Sequence, residues 1–572
     1  TLSAGQVLDL SSGTFSSSNA SILRLQSATT LSSSNPVSFG SVNFEGQILT
    51  LGSASTELNL TDANTALSLS GIALETGPGS LTLSGALALS NGAALNSSGG
   101  TITLGSGASA PSGTSISLPE TTLVLQSDLS LTGATLKTKN TTFTTNANAL
   151  TLSGGILEVS GVQDLGGVFP DNSTTLRLAA DSTIDDNASL SVGTLDLANF
   201  TLTLDDAMAG LSIAQPVTLD AAGEKIVTGA ADLSLNGGIS VTAGTISSTG
   251  GIISASNLSA GAAGIINFQG GTLNLPSGAT LANGASFSTP NTTLNLGGSL
   301  AVAGTWSGSN TTSISLTTDN ASLSSTVALS LASLQTNGHD FKLDSATSDL
   351  TLANAFALSS GTLSTQGADL IFAGNADISS EATLDATVLT GTGGLLEFRQ
   401  GGTAFGTINA RNATFKIGAA YAVPGTLRTN GSIPWDLASN LDLSGGTLEL
   451  GGNVVLDKVL TDNGTTFKLG EDTTVTRNTG FTIGDLEFES YTLTLGSDTT
   501  DLTLDIGHSS DNGTGSGSSD NGTDSGSPSG TLATVLADLT FTGGFADLPA
   551  GITLSSTDGK ITFEEGGAVN GG

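Results

Sequence analysis

The stretch Leu441-Asp442-Leu443-Ser444-Gly445-Gly446-Thr447-Leu448-Glu449-Leu450 decides the fold of this chain. Apolar and polar residues alternate on both sides of the Gly-Gly pair, which is the period-2 pattern of a β-strand. Glycine adopts the positive φ angles that a sharp corner requires, so the stretch predicts a short strand, a tight corner and a second strand. Leu, Ile and Val then face one side of the strands, and Thr, Ser, Asn and Glu face the other.

Related stretches recur along the chain. They share a Gly-Gly pair followed by an apolar-polar-apolar run, and they are Ser98–Leu104, Ser153–Val159, Gln269–Leu275 and Thr392–Phe398. The intervals between copies are irregular, from about 14 to more than about 50 residues, so the chain is not a strict repeat array. An irregular parallel β-solenoid fits better, because each short strand can stack on the same strand of the next coil.

The sequence therefore predicts an all-β, right-handed parallel β-solenoid (β-helix) rod. Almost no helix is expected, because no stretch of about 12 residues shows 3.6-residue spacing with helix caps. Coils of roughly 20–28 residues would give about 20–28 coils and a rod on the order of 100–135 Å long. A string of antiparallel sandwiches is the alternative, but aromatic residues are only 4% of the chain and the corners are mostly Ser-Gly and Gly-Gly.

Three segments are predicted along the chain. Residues 1–508 form the solenoid, with slimmer coils to about residue 265 and Phe-richer coils after it, because fourteen of the 20 Phe residues lie from Phe268 onward. Residues 509–530 form a low-complexity Gly/Ser/Asp loop, and residues 531–572 form the final coils. The 509–530 run has no apolar residue to bury except Pro528, so limited proteolysis is expected to cut there first.

Composition excludes several classes of protein. The 572 residues carry 14 Lys plus Arg against 49 Asp plus Glu, a net charge of -35, and no Cys. Disulfides and thiolate metal sites are therefore excluded, and scattered single basic residues make nucleic acid a poor partner. No window approaches 18 consecutive apolar residues, so no membrane span is expected. The single Met and the start at Thr1 favour an exported, extracellular or cell-surface protein whose signal peptide has been removed.

The low-Cys, low-Met, Ser/Thr/Gly/Asn-rich composition with Gly-Gly-Thr-Leu-x-Leu strands resembles two bacterial groups. These are the passenger domains of autotransporters and the filamentous-haemagglutinin-like adhesins. The resemblance is compositional and covers nearly the whole chain. The sequence lacks the Asn-Pro-rich secretion motifs of the haemagglutinin class, since Asn35-Pro36-Val37 is isolated. It implies a secreted β-solenoid adhesin.

The most suggestive carboxylates are the pairs Asp185-Asp186 and Asp205-Asp206. Their 20-residue offset is about one coil, which would stack them roughly 5 Å apart. Such a pair could hold a cation weakly or act as the two carboxylates of a retaining glycosidase. Sequence neighbours face opposite sides of a strand, however, and acidic corners align by chance in so acidic a chain. Solvated corners are the favoured interpretation, so no catalytic, cofactor-binding or metal-binding residue is predicted.

Other reactive residues give weaker signals. The histidines His339 and His508 have no basic cluster beside them, and Leu118–Thr122 resembles a sortase signal but is internal. Three carboxylates of the 509–530 loop lack the one-three-five spacing of calcium ligands, and they are Asp511, Asp520 and Asp524.

Two simple motifs bear on glycosylation and ice binding. Asn-x-Ser/Thr sequons number about 16 against about 10 expected by chance, which decides nothing, and examples are Asn140, Asn291 and Asn310. Thr-x-Thr pairs do not recur at one fixed interval, so ordinary outward threonines are the favoured interpretation, and examples are Thr101–Thr103, Thr201–Thr203 and Thr474–Thr476.

Three function classes remain: a structural or adhesive fibre protein, a carbohydrate-active β-helix enzyme, and a solenoid that binds glycans, ice or cations. The fibre class is favoured and an enzyme is not expected, because the reactive residues form no concentrated constellation. The expected partner is a second copy in a head-to-tail homopolymer, with cell-surface or glycan receptors as further partners. Strand alternation runs from Val7–Leu10 to Ile561–Phe563 without a cap, which favours axial joining.

Overall fold

Short alternating runs become strands that stack at one-coil intervals. Strand Thr101–Leu104 is typical, because Ile102 and Leu104 are buried while its two threonines are half-buried on the outer face. Strands make up 57% of the chain and helix 1%. The strands pair in parallel, as Thr101–Leu104 does with Thr122–Leu125, so the prediction of a parallel β-solenoid is confirmed and the antiparallel sandwich is wrong.

The computed structural model describes residues 2–12, 15, 17–18, 20–185, 189–205, 210–387, 393–429, 435–496, 500–505, 530–534, 537–542 and 552–563. The chain divides into two compact units, residues 1–293 with 304–307 and residues 294–303 with 308–572. Its coils amount to about 24 turns of β-solenoid, within the expected number. Among the described residues, no helix is long and apolar enough to cross a membrane.

The first unit contains one long parallel sheet and several shorter ones. The long sheet consists of Val7–Asp9, Thr29–Ser32, Leu49–Leu51, Ala73–Gly77, Ala94–Ser97, Ser115–Pro119, Thr135–Lys139, Ile156–Asp164, Thr175–Asp185, Thr194–Asp196, Thr201–Leu204, Lys225–Val227, Thr245–Ser248, Ile265–Phe268, Ser286–Ser288 and Thr305–Ser307. One shorter sheet consists of Val37–Phe39, Glu57–Leu60, Ser80–Leu83, Thr101–Leu104, Thr122–Leu125 and Thr142–Thr144. Another consists of Leu67–Ser70, Leu87–Ser90, Ala108–Ala110, Leu129–Thr132, Leu150–Ser153 and Val168–Pro170. Three further groups of paired strands complete the description of this unit. The first is Leu2–Ala4, Ile22–Leu25 and Ser41–Asn43. The second is Ser189–Val192, Gly210–Ile213, Leu233–Leu235, Ile252–Ala255 and Thr272–Leu275, and the third is Val217–Leu219, Ile239–Val241, Leu258–Ala260 and Gly278–Leu281.

The second unit repeats this plan. Its long sheet contains Ser299–Val302, Ala321–Ser325, Phe341–Leu343, Phe356–Ser364, Ala376–Asp385, Thr407–Asn409, Thr426–Arg428, Thr447–Val455, Thr466–Thr476, Asp485–Glu487, Thr492–Leu495, Gly530–Thr534 and Ile552–Ser556. One shorter sheet consists of Leu329–Leu331, Leu350–Leu352, Leu370–Phe372, Leu395–Phe398, Thr414–Ile417 and Trp435–Leu437. A second consists of Gly402–Thr403, Tyr421–Ala422, Leu441–Asp442 and Val459–Leu460. A third consists of Phe481–Ile483, Leu502–Asp505, Leu539–Thr542 and Ile561–Phe563. The unit also contains Ser313–Leu316, Ser333–Gln335 and the 3-10 helix Ser309–Thr311.

Coil length varies because the corners differ. Leu157 pairs with Leu176, so that coil takes 19 residues, whereas Leu49 pairs with Leu74 across 25. Leu493 pairs with Leu532 and Leu502 pairs with Leu539, so strands before the predicted 509–530 loop stack on strands after it. The loop itself, where the first proteolytic cut is expected, lies outside the described residues up to Gly530.

Buried hydroxyls at the corners differ from the sequence expectation that Ser and Thr face outward. Thr121, Thr174 and Thr465 are almost fully buried. Thr174 Oγ1 donates to the carbonyl of Leu152 in the preceding coil at 3.1 Å, and Thr465 Oγ1 donates to Leu443 O at 3.1 Å. A buried hydroxyl is stable there because it satisfies a backbone carbonyl of the neighbouring coil.

Candidate functional site

The predicted carboxylates lie on successive coils as their spacing indicated. Asp164 is in register with Asp185, and the N–H of Asp205 donates to Ile184 O at 2.9 Å, which places Asp205 one coil beyond Asp185. Asp186 and Asp206 lie outside the described residues. No group of three or more His, Asp or Glu residues within the described ranges is arranged to hold a metal ion.

The weaker sequence candidates occupy ordinary structural positions. His339 Nδ1 lies 2.9 Å from Asp319 Oδ1 on the preceding coil. In the sortase-like stretch, Leu118 and Thr121 are buried, so the motif is folded into a corner. Asn140 is exposed, and its Nδ2 donates to Glu120 Oε1 at 2.9 Å. Four other candidates, His508, Asp511, Asp520 and Asp524, lie outside the described residues.

The Thr-x-Thr pairs are more regular in the structure than in the sequence. Thr101 is in register with Thr122, which is in register with Thr142, so three coils place a threonine at the same outer position. Thr103 aligns with Thr82 on one side but with Val124 on the other. Threonines therefore stack on successive coils over a short part of the sheet, and Val124 interrupts the row that contains Thr103.

Many of the acidic residues bond the backbone of the next coil. In each case a carboxylate oxygen accepts an N–H at 2.6 to 2.9 Å, and the acceptors are Asp128, Asp181, Asp232, Asp340, Asp349, Asp369, Asp377, Asp457, Asp472, Asp501 and Asp538. A charged acceptor makes such a bond stronger than a neutral one. These carboxylates therefore extend the hydrogen-bond ladder between coils where the strands end.

Asp171 is a further carboxylate that bonds a neighbouring coil, and it accepts several hydrogen bonds at once. It accepts from Ser173 Oγ at 2.6 Å, from Ser153 Oγ of the preceding coil at 2.7 Å and from the N–H of Gly154 at 3.3 Å. Thr174 Oγ1 donates to it at 3.1 Å. The hydroxyl bonds, that of Ser173 first and that of Ser153 next, hold the pKa of Asp171 well below its ordinary value.

Asp171→Asn is expected to destabilise the protein most at neutral pH. The lowered pKa means that the folded chain holds this proton more weakly than the unfolded chain, so the stabilisation is present above about pH 4 and is lost as the pH falls. Urea unfolding from pH 7 downwards should show the deficit of the variant shrinking below about pH 4. Ser173→Ala should weaken the same pH dependence, and a deficit that stays constant with pH would contradict the assignment.

A row of alternating charges runs across the outer face of the first unit's long sheet. Lys137, Glu158, Arg177 and Asp196 are in register on four successive coils, and we call them the first charge column. Lys137 Nζ lies 3.2 Å from Glu158 Oε1, and Arg177 Nε lies 2.9 Å from Asp196 Oδ2. Each cation is thus stacked against an anion one coil away.

The second unit contains a matching row. Arg428, Glu449, Lys468 and Glu487 are in register, and we call them the second charge column. Arg428 Nε lies 3.0 Å from Glu449 Oε2, and Lys468 Nζ lies 3.1 Å from Glu487 Oε2. Arg411 also pairs with Glu449, whose side chain is only 10% exposed.

Basic residues near this column stand singly, but no acidic residue lies between them in the sequence. Residues 398–435 contain four Lys or Arg and no acidic residue. Glu397, in the strand just before, has an 8% exposed side chain and pairs with Arg399 Nε at 3.0 Å and with Lys416 Nζ at 3.2 Å. These cations are therefore paired with carboxylates of the chain itself.

The two charge columns belong to two copies of one block. Without a gap, residues 135–204 match residues 426–495 at 28 of 70 positions. Strands Ile156–Asp164 and Thr447–Val455 have corresponding bounds, as do Thr175–Asp185 and Thr466–Thr476, at a constant offset of 291 residues. Intervals of one coil do not reveal this duplication, because they are far shorter than the block. The constant offset is the sequence signal that reveals it.

The duplication shows which acidic residues the two copies share. Asp171 and Asp181 are kept as Asp462 and Asp472, and Asp462 likewise accepts the N–H of a glycine in the preceding coil, Gly445, at 3.1 Å. The candidate carboxylates are not kept, because the positions of Asp185 and Asp205 hold Thr and Gly in the second copy. Each acidic residue that is kept bonds a neighbouring coil, although Asp457, which also does so, has Gly166 at its position in the first copy.

Comparison of the chain with protein-family models, with curated proteins and with solved structures gave no match. Within the described residues, the polar chemistry is directed mainly at adjacent coils, through carboxylate-to-backbone bonds and charge columns.

Proposed function

We propose that this chain is an extracellular structural or adhesive β-solenoid protein, the subunit of a surface fibre that assembles head to tail. One observation carries the proposal: carboxylates such as Asp181, Asp232 and Asp349 accept the backbone N–H of the next coil. The acidic side chains that a catalytic groove would direct at a substrate are here used to hold coils together.

The coil-to-coil interface supports assembly with a second copy as partner. The same elements recur along each unit: a parallel strand ladder, a buried apolar row and carboxylate-to-backbone bonds. A second copy that continued this ladder would make the same kinds of bond. Lateral packing is opposed by the net charge of -35, so Ca²⁺ or salt should promote bundling more than axial joining. Receptors on cells or glycans are further proposed partners.

Electron microscopy of the purified full chain, together with light scattering over a concentration series, tests the proposal. We expect filaments one subunit wide that lengthen with concentration. A chain that stays monomeric at high concentration, or that associates only side to side, would overturn it. In parallel, acidic and neutral polysaccharides should show no turnover, and turnover that Asp205→Asn abolishes would favour an enzyme instead.

A further inference from the structure

The apolar residues of the interior do not by themselves specify which coil stacks on which. Successive coils of the first unit's long sheet stack leucine on leucine: Leu136, Leu157 and Leu176 are fully buried, and Leu195 of the next coil is half-buried. A slip by one residue would turn the apolar residues outward, so the pattern prevents it. Skipping a whole coil would still place leucine on leucine, and the interior alone does not penalise that error.

We propose that the first charge column specifies the stacking order by penalising arrangements that skip a coil. Alternation makes nearest neighbours opposite in sign and next-nearest neighbours alike. Skipping strand Ile156–Asp164 would place Lys137 beside Arg177, and skipping Thr175–Asp185 would place Glu158 beside Asp196. Like charges directly opposite on neighbouring strands are destabilising, whereas opposite charges stabilise.

The second charge column, in the other copy of the duplicated block, also favours this role. It repeats the order positive, negative, positive, negative, but Lys and Arg exchange places and Asp196 is replaced by Glu487. Lys and Arg differ in shape and hydrogen-bond geometry, so packing detail is not what the two copies share. They share the sign of the charge at each coil.

The side chains of the first charge column are partly exposed to solvent, so they act on the stacking order through their charges and not through close packing. The side chains of Lys137, Arg177 and Asp196 are 40 to 47% exposed, and that of Glu158 is 20% exposed. Pairs this exposed contribute little to stability individually, but they discriminate between registers while coils dock. Salt of about 1 M should weaken that discrimination, because the Debye length then falls to about 3 Å.

Cysteine pairs placed beside the column report the register, because the chain has no Cys. Thr175 and Thr194 are on adjacent coils with their hydroxyls 2.7 Å apart, so Thr175→Cys with Thr194→Cys reports native stacking. Thr135 and Thr175 are two coils apart, about 9.6 Å, beyond the ~7 Å that a disulfide can bridge. Thr135→Cys with Thr175→Cys therefore closes only when the coil between them is skipped.

Oxidative refolding of the full-length chain carrying each reporter pair is the experiment. Glu158→Lys puts three positive charges in a row, and we expect about a fivefold rise in the Thr135–Thr175 reporter disulfide. Glu75→Lys is the matched control: it lies at the same outer position of the same sheet and makes the same charge change, but its neighbours are Thr50 and Asn96. It should leave the reporter at the wild-type level.

A full inversion of the column separates charge order from stability. Lys137→Glu, Glu158→Lys, Arg177→Glu and Asp196→Lys together restore alternation with no change in net charge. This variant should form the native Thr175–Thr194 reporter disulfide even if Glu158→Lys alone does not fold. The proposal is overturned if Glu158→Lys and Glu75→Lys give equal reporter ratios, or if the inverted column forms the skipped-coil disulfide.

Discussion

Phe398→Ala is expected to lower the free energy of unfolding by about 3–5 kcal/mol, the range for truncating a buried aromatic residue. Phe398 is fully buried, and its ring centroid lies 5.0 Å from Phe372, 5.8 Å from Phe415 and 4.4 Å from Tyr421. Removing the ring leaves a cavity among rings that belong to three other strands. The Tyr421 hydroxyl, which donates to Ala376 O at 2.9 Å, would also lose the ring that packs beside it.

Phe405→Ala is the matched control, because Phe405 is a phenylalanine of the same unit that is 61% exposed. Its truncation should cost less than about 1 kcal/mol, as expected for a surface substitution. Urea unfolding followed by circular dichroism measures both variants. Equal losses would mean that the aromatic stack does not stabilise this unit.

Gly155→Ala is expected to cost at least about 3 kcal/mol, a loss that marks a specific steric fault. Gly155 has φ +78, and a Cβ at this position would lie 2.1 Å from the carbonyl oxygen of Ala134 in the preceding coil. The added methyl group meets backbone atoms, which cannot move aside without separating the two coils. Thermal and urea unfolding of the full chain should both show the loss.

Gly113→Ala separates the two contributions to that cost. Gly113 has φ +81, but no atom lies within 4 Å of the point that an alanine Cβ would occupy, so only the left-handed backbone penalty of about 1–2 kcal/mol applies. The difference between the variants measures the steric closeness of neighbouring coils at Gly155. Equal losses would show that the space beside Gly155 can open without cost.

Local pattern was enough to predict the fold class. The alternation around Gly445-Gly446 predicted strand, corner and strand, and the structure has strands Leu441–Asp442 and Thr447–Val455 on the two sides of that pair. The 20-residue offset also placed Asp185 and Asp205 one coil apart. Both predictions succeeded because strand periodicity and mean coil length are properties of short segments.

Tertiary structure alone decided which polar residues act together. Ser153 and Gly154 bond Asp171 of the next coil, and the charge columns pair residues of successive coils. Thr174 is buried where neighbouring coils meet. Coil length changes with each corner, from 19 to 25 residues in the first unit's long sheet, so sequence spacing does not state which residues stack. The stacking register is set by contacts summed over a whole coil, and it becomes visible only when the coils are in place.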